Sequence, residues 1–109
     1  MDARLQKRLE KLEAQIEKLR GAEAEFLALD AHKKVLASQL FIKAKGSSVA
    51  EREAIVYASR DWSDFVAAHV EAESNFNNER RRYELQLKAY DAEHLTLKTE
   101  VPVIRRQGA

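Results

Sequence analysis

The 109-residue chain contains no cysteine, which removes disulfides, thiolate metal sites and thiol nucleophiles together. Such a composition suits a reducing compartment. Proline occurs once, at Pro102, and before it glycine stands only at Gly21 and Gly46. With so few breakers, helix is favoured almost throughout. Long apolar runs are missing as well. The longest, "VLASQLFI" over 35–42, falls far short of the roughly 20 residues a membrane span requires. The opening "MDARLQKRLEKLEAQ" alternates charge with leucine and lacks the apolar centre of a signal peptide. The expectation is a soluble, cytoplasmic protein with no membrane partner. Finally, no sign of charge dominates: 19 basic and 18 acidic residues leave a net charge of +1. Bulk electrostatics therefore gives no reason to bind nucleic acid, although local basic patches could.

What remains is a strongly periodic sequence. From 3 to 45 the apolar positions step by four and three through Leu5, Leu9, Leu12, Ile16 and Leu19. That is a coiled-coil seam, with charged residues on the other faces. After Leu19 a three-residue step to Ala22 resets the phase. The seam then continues through Phe26, Leu29, Leu36 and Leu40, with Lys33 as its polar member. Gly21 sits at the reset and reads as a local change of supercoil or a close helix contact.

A corner follows. In "KAKGSSVAEREA", residues 43–54, Gly46 fits the residue just past a helix C-terminus. Ser48 fits the next N-cap, with Glu51 three residues on to complete an S-x-x-E capping box. The spacing predicts a short helix over 48–59, with Ala50, Ala54 and Tyr57 sharing one face. Ser59 or Asp61 then restarts the chain as a third helix over 61–97. Its seam reads Trp62, Phe65, His69, Ala72, Phe76, Glu79, Tyr83, Leu87 with Gln86 beside it, Tyr90, His94 and Leu97. Residues 99–109, which hold the proline, read as a flexible basic tail.

The first helix would run roughly 65 Å at about 1.5 Å per residue, and the third nearly as far. The fold class is therefore all-α: a long antiparallel helical hairpin, coiled-coil-like, with a short connecting helix. Folding back about 46–60 would bring Ile16 and Leu19 near Tyr90 and Leu87, His94 near Leu12, and His69 near Ala37. A lone helix pair is marginal. Moreover Leu27, Val35, Ile42, Val66, Val70, Leu85 and Leu95 lie outside the seams. We therefore expect a homo-oligomer, a dimer or larger bundle, whose second copy covers another stripe.

The segment "FIKAKGSSVAEREAIVYAS", with "LDAHKKVLASQL" before it, resembles a family of small helical proteins from tailed bacteriophages and prophages. The resemblance covers roughly 25–90, and its distinctive motif is the Ser48–Ala54 element. Ile55, Val56 and Tyr57 are bulkier than the alanine-rich run usual there, and the basic tail departs from the pattern. The resemblance implies an accessory role in phage DNA replication or recombination within a bacterial host cell, with no catalytic residue implied.

The residues themselves offer few chemical constellations. "KAKGSS" is not a phosphate loop: its lysine precedes the glycine, and a helix rather than a strand leads in. Glu51 and Glu53 flank Arg52 on a first helical turn, where carboxylates complement the helix dipole. His32, His69 and His94 are dispersed and show no metal-ligand spacing. No catalytic, cofactor or metal site is expected, and the chain does not read as an enzyme. The aromatics recur at seam spacing, which reads as core rather than as a base-stacking platform.

"NFNNERRRYELQLK", residues 75–88, is the best candidate surface. Arg80, Arg81 and Arg82 span about 200° of helix, so Arg81 and Arg82 must largely face solvent. With Lys88, and with Lys33 and Lys34, they could contact the phosphates of DNA, such as a single strand with Tyr83 near for stacking, or an acidic face of a phage or host DNA-metabolism protein. The competing reading is a structural coiled-coil adaptor or assembly chaperone that touches no nucleic acid.

Overall fold

The computed structural model describes residues 2–108, and of residues 99–108 only the helical course. Among these residues there are three helices and no strand: α1 (Ala3–Lys43), α2 (Val49–Ala58) and α3 (Arg60–Gly108). The all-α fold class expected from the breakers is the observed one. α3 runs past Leu97, where the proline had placed its end. The expectation of a flexible tail over 99–109 lies outside the residues whose side chains are described.

Each helix start has a side-chain acceptor, because its first N–H groups lack intrahelical partners. Asp2 Oδ1 accepts from Arg4 N at 2.8 Å and Leu5 N at 3.3 Å. Ser48 Oγ accepts from Glu51 N at 3.1 Å. Ser59 serves two helices at once. Its hydroxyl donates to Val56 O at 2.6 Å and accepts from Trp62 N at 3.2 Å. It thus ends α2 and starts α3, and Asp61 is not needed as the cap.

The chain divides into two compact units: Met1–Arg20 with Asn77–Ala109, and Gly21–Phe76. In each, α1 and α3 run antiparallel. In the first unit Leu5, Leu12 and Gln15 are buried, and Leu9, Ile16, Leu19, Tyr83, Leu87, Tyr90, His94 and Leu97 are half-buried. Arg8 Nε lies 3.7 Å from Glu93, and Gln15 Nε2 donates to the Glu79 main-chain oxygen at 3.1 Å and to its carboxylate. Gln15 is therefore a buried polar layer, which the apolar pattern could not reveal. It also accounts for Glu79, the one acidic residue in the α3 seam.

The second unit is built on rings. Tyr57, Trp62, Phe65, His69, Phe26 and Phe76 form a continuous series with centroids 5.2–5.8 Å apart. His32 adds an edge contact to Phe65 at 6.3 Å. Of the seam aromatics Phe65 is buried, and Trp62, Phe76, Tyr83 and Tyr90 are half-buried.

The register differs from the expected one by about a heptad. His69 meets Asp30 at 3.2 Å and stacks near Phe26, rather than reaching Ala37. In the first unit Arg8 meets Glu93 and Gln15 meets Glu79, where the expected pairing would have set them level with Lys98 and Asp91. The expectation took 46–60 as a symmetric cap. Instead α2 folds back beside the end of α1, so α3 begins before α1 has ended.

Glycine positions also depart from their expected roles. α1 ends at Lys43, and no glycine among the described residues has a positive φ, so Gly46 is not a left-handed helix stop. Its need is spatial: an added Cβ would meet Arg52 Cγ at 2.8 Å and Arg52 N at 3.2 Å. Gly21, by contrast, lies within unbroken α1 with open space around it, so it makes no close helix contact. Thermal or urea unfolding should therefore separate the two. Gly21→Ala should raise stability by about 1 kcal/mol, the intrinsic helix preference, whereas Gly46→Ala should lower it by about 1–3 kcal/mol through overpacking. Equal effects in one direction would contradict these assignments.

Candidate partner-binding surfaces

The corner was the segment most suggestive of chemistry, and its groups turn inward on one another. Glu51 Oε2 accepts from Ser47 Oγ at 2.6 Å and from Ser47 N at 3.1 Å. Half of the capping box is therefore present: Ser48 caps Glu51, but Glu51 returns to Ser47 rather than to Ser48. The Ser47 hydroxyl first, and then its N–H, hold the Glu51 carboxyl below its ordinary range.

Arg52 was read as one charge of an exposed turn. It is half-buried, and its Nη2 donates to Phe41 O at 2.8 Å while the guanidinium carbon lies 4.2 Å from the Phe41 ring centre. Phe41 is in the last turn of α1, where its carbonyl accepts only a 3.2 Å main-chain bond from Ala44 N and a cation is favoured. Arg52 thus closes the C-terminus of α1 from the first turns of α2. Eleven residues separate the two partners, so no local pattern announces the contact. The packed face of α2 is Arg52 and Val56, continued by the capping Ser59, with Val56 only 3% exposed. Ala50, Ala54 and Tyr57, the face expected from spacing, are exposed.

Beside this clamp, Ala37, Ser38, Phe41 and Ile42 of α1 and Glu53, Val56 and Tyr57 of α2 line an open, largely apolar cleft. Glu53 is the one carboxylate in its lining.

The basic residues singled out in α3 lie in the first unit, and the structure differentiates them. Arg82 Nη1 is 2.7 Å from Glu79 Oε1, so its charge is partly spent on the carboxylate that also accepts from Gln15. Arg80 Nη2 donates to Asn77 Oδ1 at 3.0 Å. Arg81 and Lys88 are exposed, and no ion pair among the described residues engages either. Seven residues apart, they share the helix face directly opposite the seam. Asn77, Arg80, Arg81 and Glu84 line a shallow depression on that side. Tyr83 is half-buried in the seam, so its ring is not presented beside Arg81 for stacking. Lys33 and Lys34 are exposed in the other unit.

The histidines stay apart in their roles. His69 pairs with Asp30, His94 stacks on Tyr90 at 6.2 Å, and His32 is exposed beside Phe65. Among the described residues no group of three or more metal-ligating side chains is assembled. No helix among them is long and apolar enough to cross a membrane.

Compared with protein-family models, with curated proteins and with solved structures, the chain matches none of them.

Two outcomes follow from the corner. Arg52→Ala should lower stability by about 1–2 kcal/mol, since a charge-assisted bond to a helix-end carbonyl is lost. Arg52→Lys should fall between it and the parent in urea unfolding, because lysine keeps the charge but not the fork over Phe41. The Glu51 bonds have a pH signature. A carboxyl whose folded pKa is lowered contributes stability above its unfolded pKa and loses it as pH falls through the folded one. Carbon-detected titration should place the Glu51 midpoint below that of the solvated glutamates, and Ser47→Ala should return it toward them. An unchanged midpoint in that variant would exclude Ser47 as the cause.

Proposed function

We propose that the chain is a non-catalytic accessory protein of phage-type DNA replication or recombination, acting by binding through its helical faces. The face proposed for DNA, single-stranded above all, is the outward side of α3 around Arg80, Arg81 and Lys88. The observation that supports it is the pairing pattern. Arg82 is turned to Glu79, while Arg81 and Lys88 stand exposed on one stripe without an ion pair among the described residues. Lys33 and Lys34 are further exposed cations that could add contacts. The phage setting comes from the sequence resemblance at the Ser48–Ala54 element.

A second reading has its own support. Ile42 and Tyr57 are exposed at the rim of the corner cleft, and Val49 and Ile55 are exposed on α2. Together with the near-zero net charge, they favour a coiled-coil adaptor or assembly chaperone that docks a protein segment and touches no nucleic acid.

Mobility-shift titration with single- and double-stranded oligonucleotides decides between them. At ~50 mM salt the parent should bind, and the affinity should fall with rising salt at a slope of about −0.7 per phosphate contacted on a single strand. Arg81→Ala with Lys88→Ala should weaken binding about tenfold or more and flatten that slope, without changing helix content. Neither residue supports the seam, so a loss would be electrostatic. Negligible binding by parent and variant alike would remove the nucleic-acid reading and leave the adaptor.

A further inference from the structure

Within the second unit, α1 is apolar on two sides. One side is the seam of Ala22, Phe26, Leu29, Leu36 and Leu40, packed in the hairpin. The other runs through Ala24, Ala28, Ala31, Val35, Ser38 and Ile42, again at alternating steps of four and three. All six are exposed, Ile42 at 75% and Val35 at 48%, and Leu27 at 52% extends the margin. At about 100° per residue the two stripes lie roughly 150° apart. A helix that is apolar on opposite faces needs two partners. α3 supplies one.

We propose that this outer face of α1 binds the same face of a second copy, antiparallel, about a two-fold axis near residue 33. The grading of side-chain size carries the choice of occupant. The N-terminal half of the stripe holds only alanines, and the C-terminal half holds valine and isoleucine with the small Ser38 between them. An antiparallel pairing sets Ile42 against Ala24 of the second copy, Ser38 against Ala28 and Val35 against Ala31. Symmetry repeats each layer. Every large residue then meets a small one, and the helix separation stays even along the contact. A parallel pairing would set Ile42 against Ile42 at one end and Ala24 against Ala24 at the other. Those ends demand different separations within the usual range of about 8–10 Å. A face shaped for an unrelated helix has no reason to be complementary to itself, whereas a two-fold contact requires it.

The need for such a contact is also visible. No side chain among the described residues is fully buried, so one helix pair leaves little enclosed core. One term opposes the pairing. Lys34 approaches its own copy near the axis, but at the margin, where its flexible stem can carry the ammonium into solvent. The proposal does not rest on the nucleic-acid reading, because Arg81 and Lys88 belong to the other unit.

The absence of cysteine makes the test clean. In sedimentation equilibrium the full chain should approach twice its 12.5 kDa mass at micromolar concentration. Ala28→Glu combined with Ala31→Glu should raise the dissociation constant at least tenfold. Ala24→Cys and Ile42→Cys chains, mixed under reducing conditions and then oxidised, should form a disulfide-linked pair. A disulfide requires Cα atoms about 4.4–6.8 Å apart, so neither variant alone should cross-link efficiently. Efficient cross-linking of either alone would mean a parallel pairing and overturn the proposed geometry. A monomer at 100 μM (about tenfold above the working range), or a dimer giving no mixed cross-link, would overturn the face itself. Should the double glutamate variant fail to fold, the cysteine chains still decide, since each changes one exposed position.

Discussion

Two helices in contact can bury only one stripe on each, and every feature of this chain answers to that limit. The seams of α1 and α3 are long, yet even their most enclosed members keep some contact with solvent. Val56 and Ala72, each 3% exposed, are the most buried of the described residues. Hydrophobic burial at about 25 cal/mol per Å² therefore acts through many partial contributions rather than a few large ones. Under that condition the helix ends matter more than in a globular core. Asp2, Ser48 and Ser59 satisfy N–H groups at all three helix starts, and Arg52 satisfies a carbonyl at the end of α1.

Arg52 connects the limit to the geometry. To reach the Phe41 carbonyl and ring, it must draw α2 back along the last turns of α1. Its side-chain stem then fills the space where any Cβ on residue 46 would lie, which is why glycine stands there. Because α2 folds back, α3 starts level with a point inside α1, and its partners shift by about a heptad. Sliding by a heptad keeps every apolar stripe in contact. What it changes is which particular residues meet, and this is how His69 comes to Asp30 and Phe26.

Seam, helix count and the Ser48 cap were legible in the sequence because each depends on neighbours three or four residues apart. The residues from Leu5 to Leu40 and from Trp62 to Leu97 show the pattern directly, and Lys33, its polar exception, is exposed. The register was not legible, because apolar periodicity repeats every seven residues and cannot choose among multiples of seven. Polar contacts make the choice: Gln15 to Glu79 in one unit, His69 to Asp30 in the other. Gln15 had no signal of its own, but Glu79 did. An acidic residue at a seam position implies a partner, and asking which residue could donate to it would have pointed toward the facing helix. Arg52 was out of reach, since its partners are defined only once the corner has its shape.

The same accounting separates structure from surface among the charged residues. Glu79 accepts from Gln15 on the seam side and pairs with Arg82 at the surface. Neutralising one arginine of the run thereby belongs to the register, not to binding. What the seam does not consume is what a partner can use: Arg81 and Lys88 on the outward side of α3, and the stripe from Ala24 to Ile42 on α1. These two surfaces differ in kind. The first offers charge without shape, suited to a polyanion whose contacts are exchangeable and weakened by salt. The second offers shape without charge, suited to one fixed companion. On the proposals above, self-association would draw on the second and a polyanion on the first, so the two would respond differently to salt.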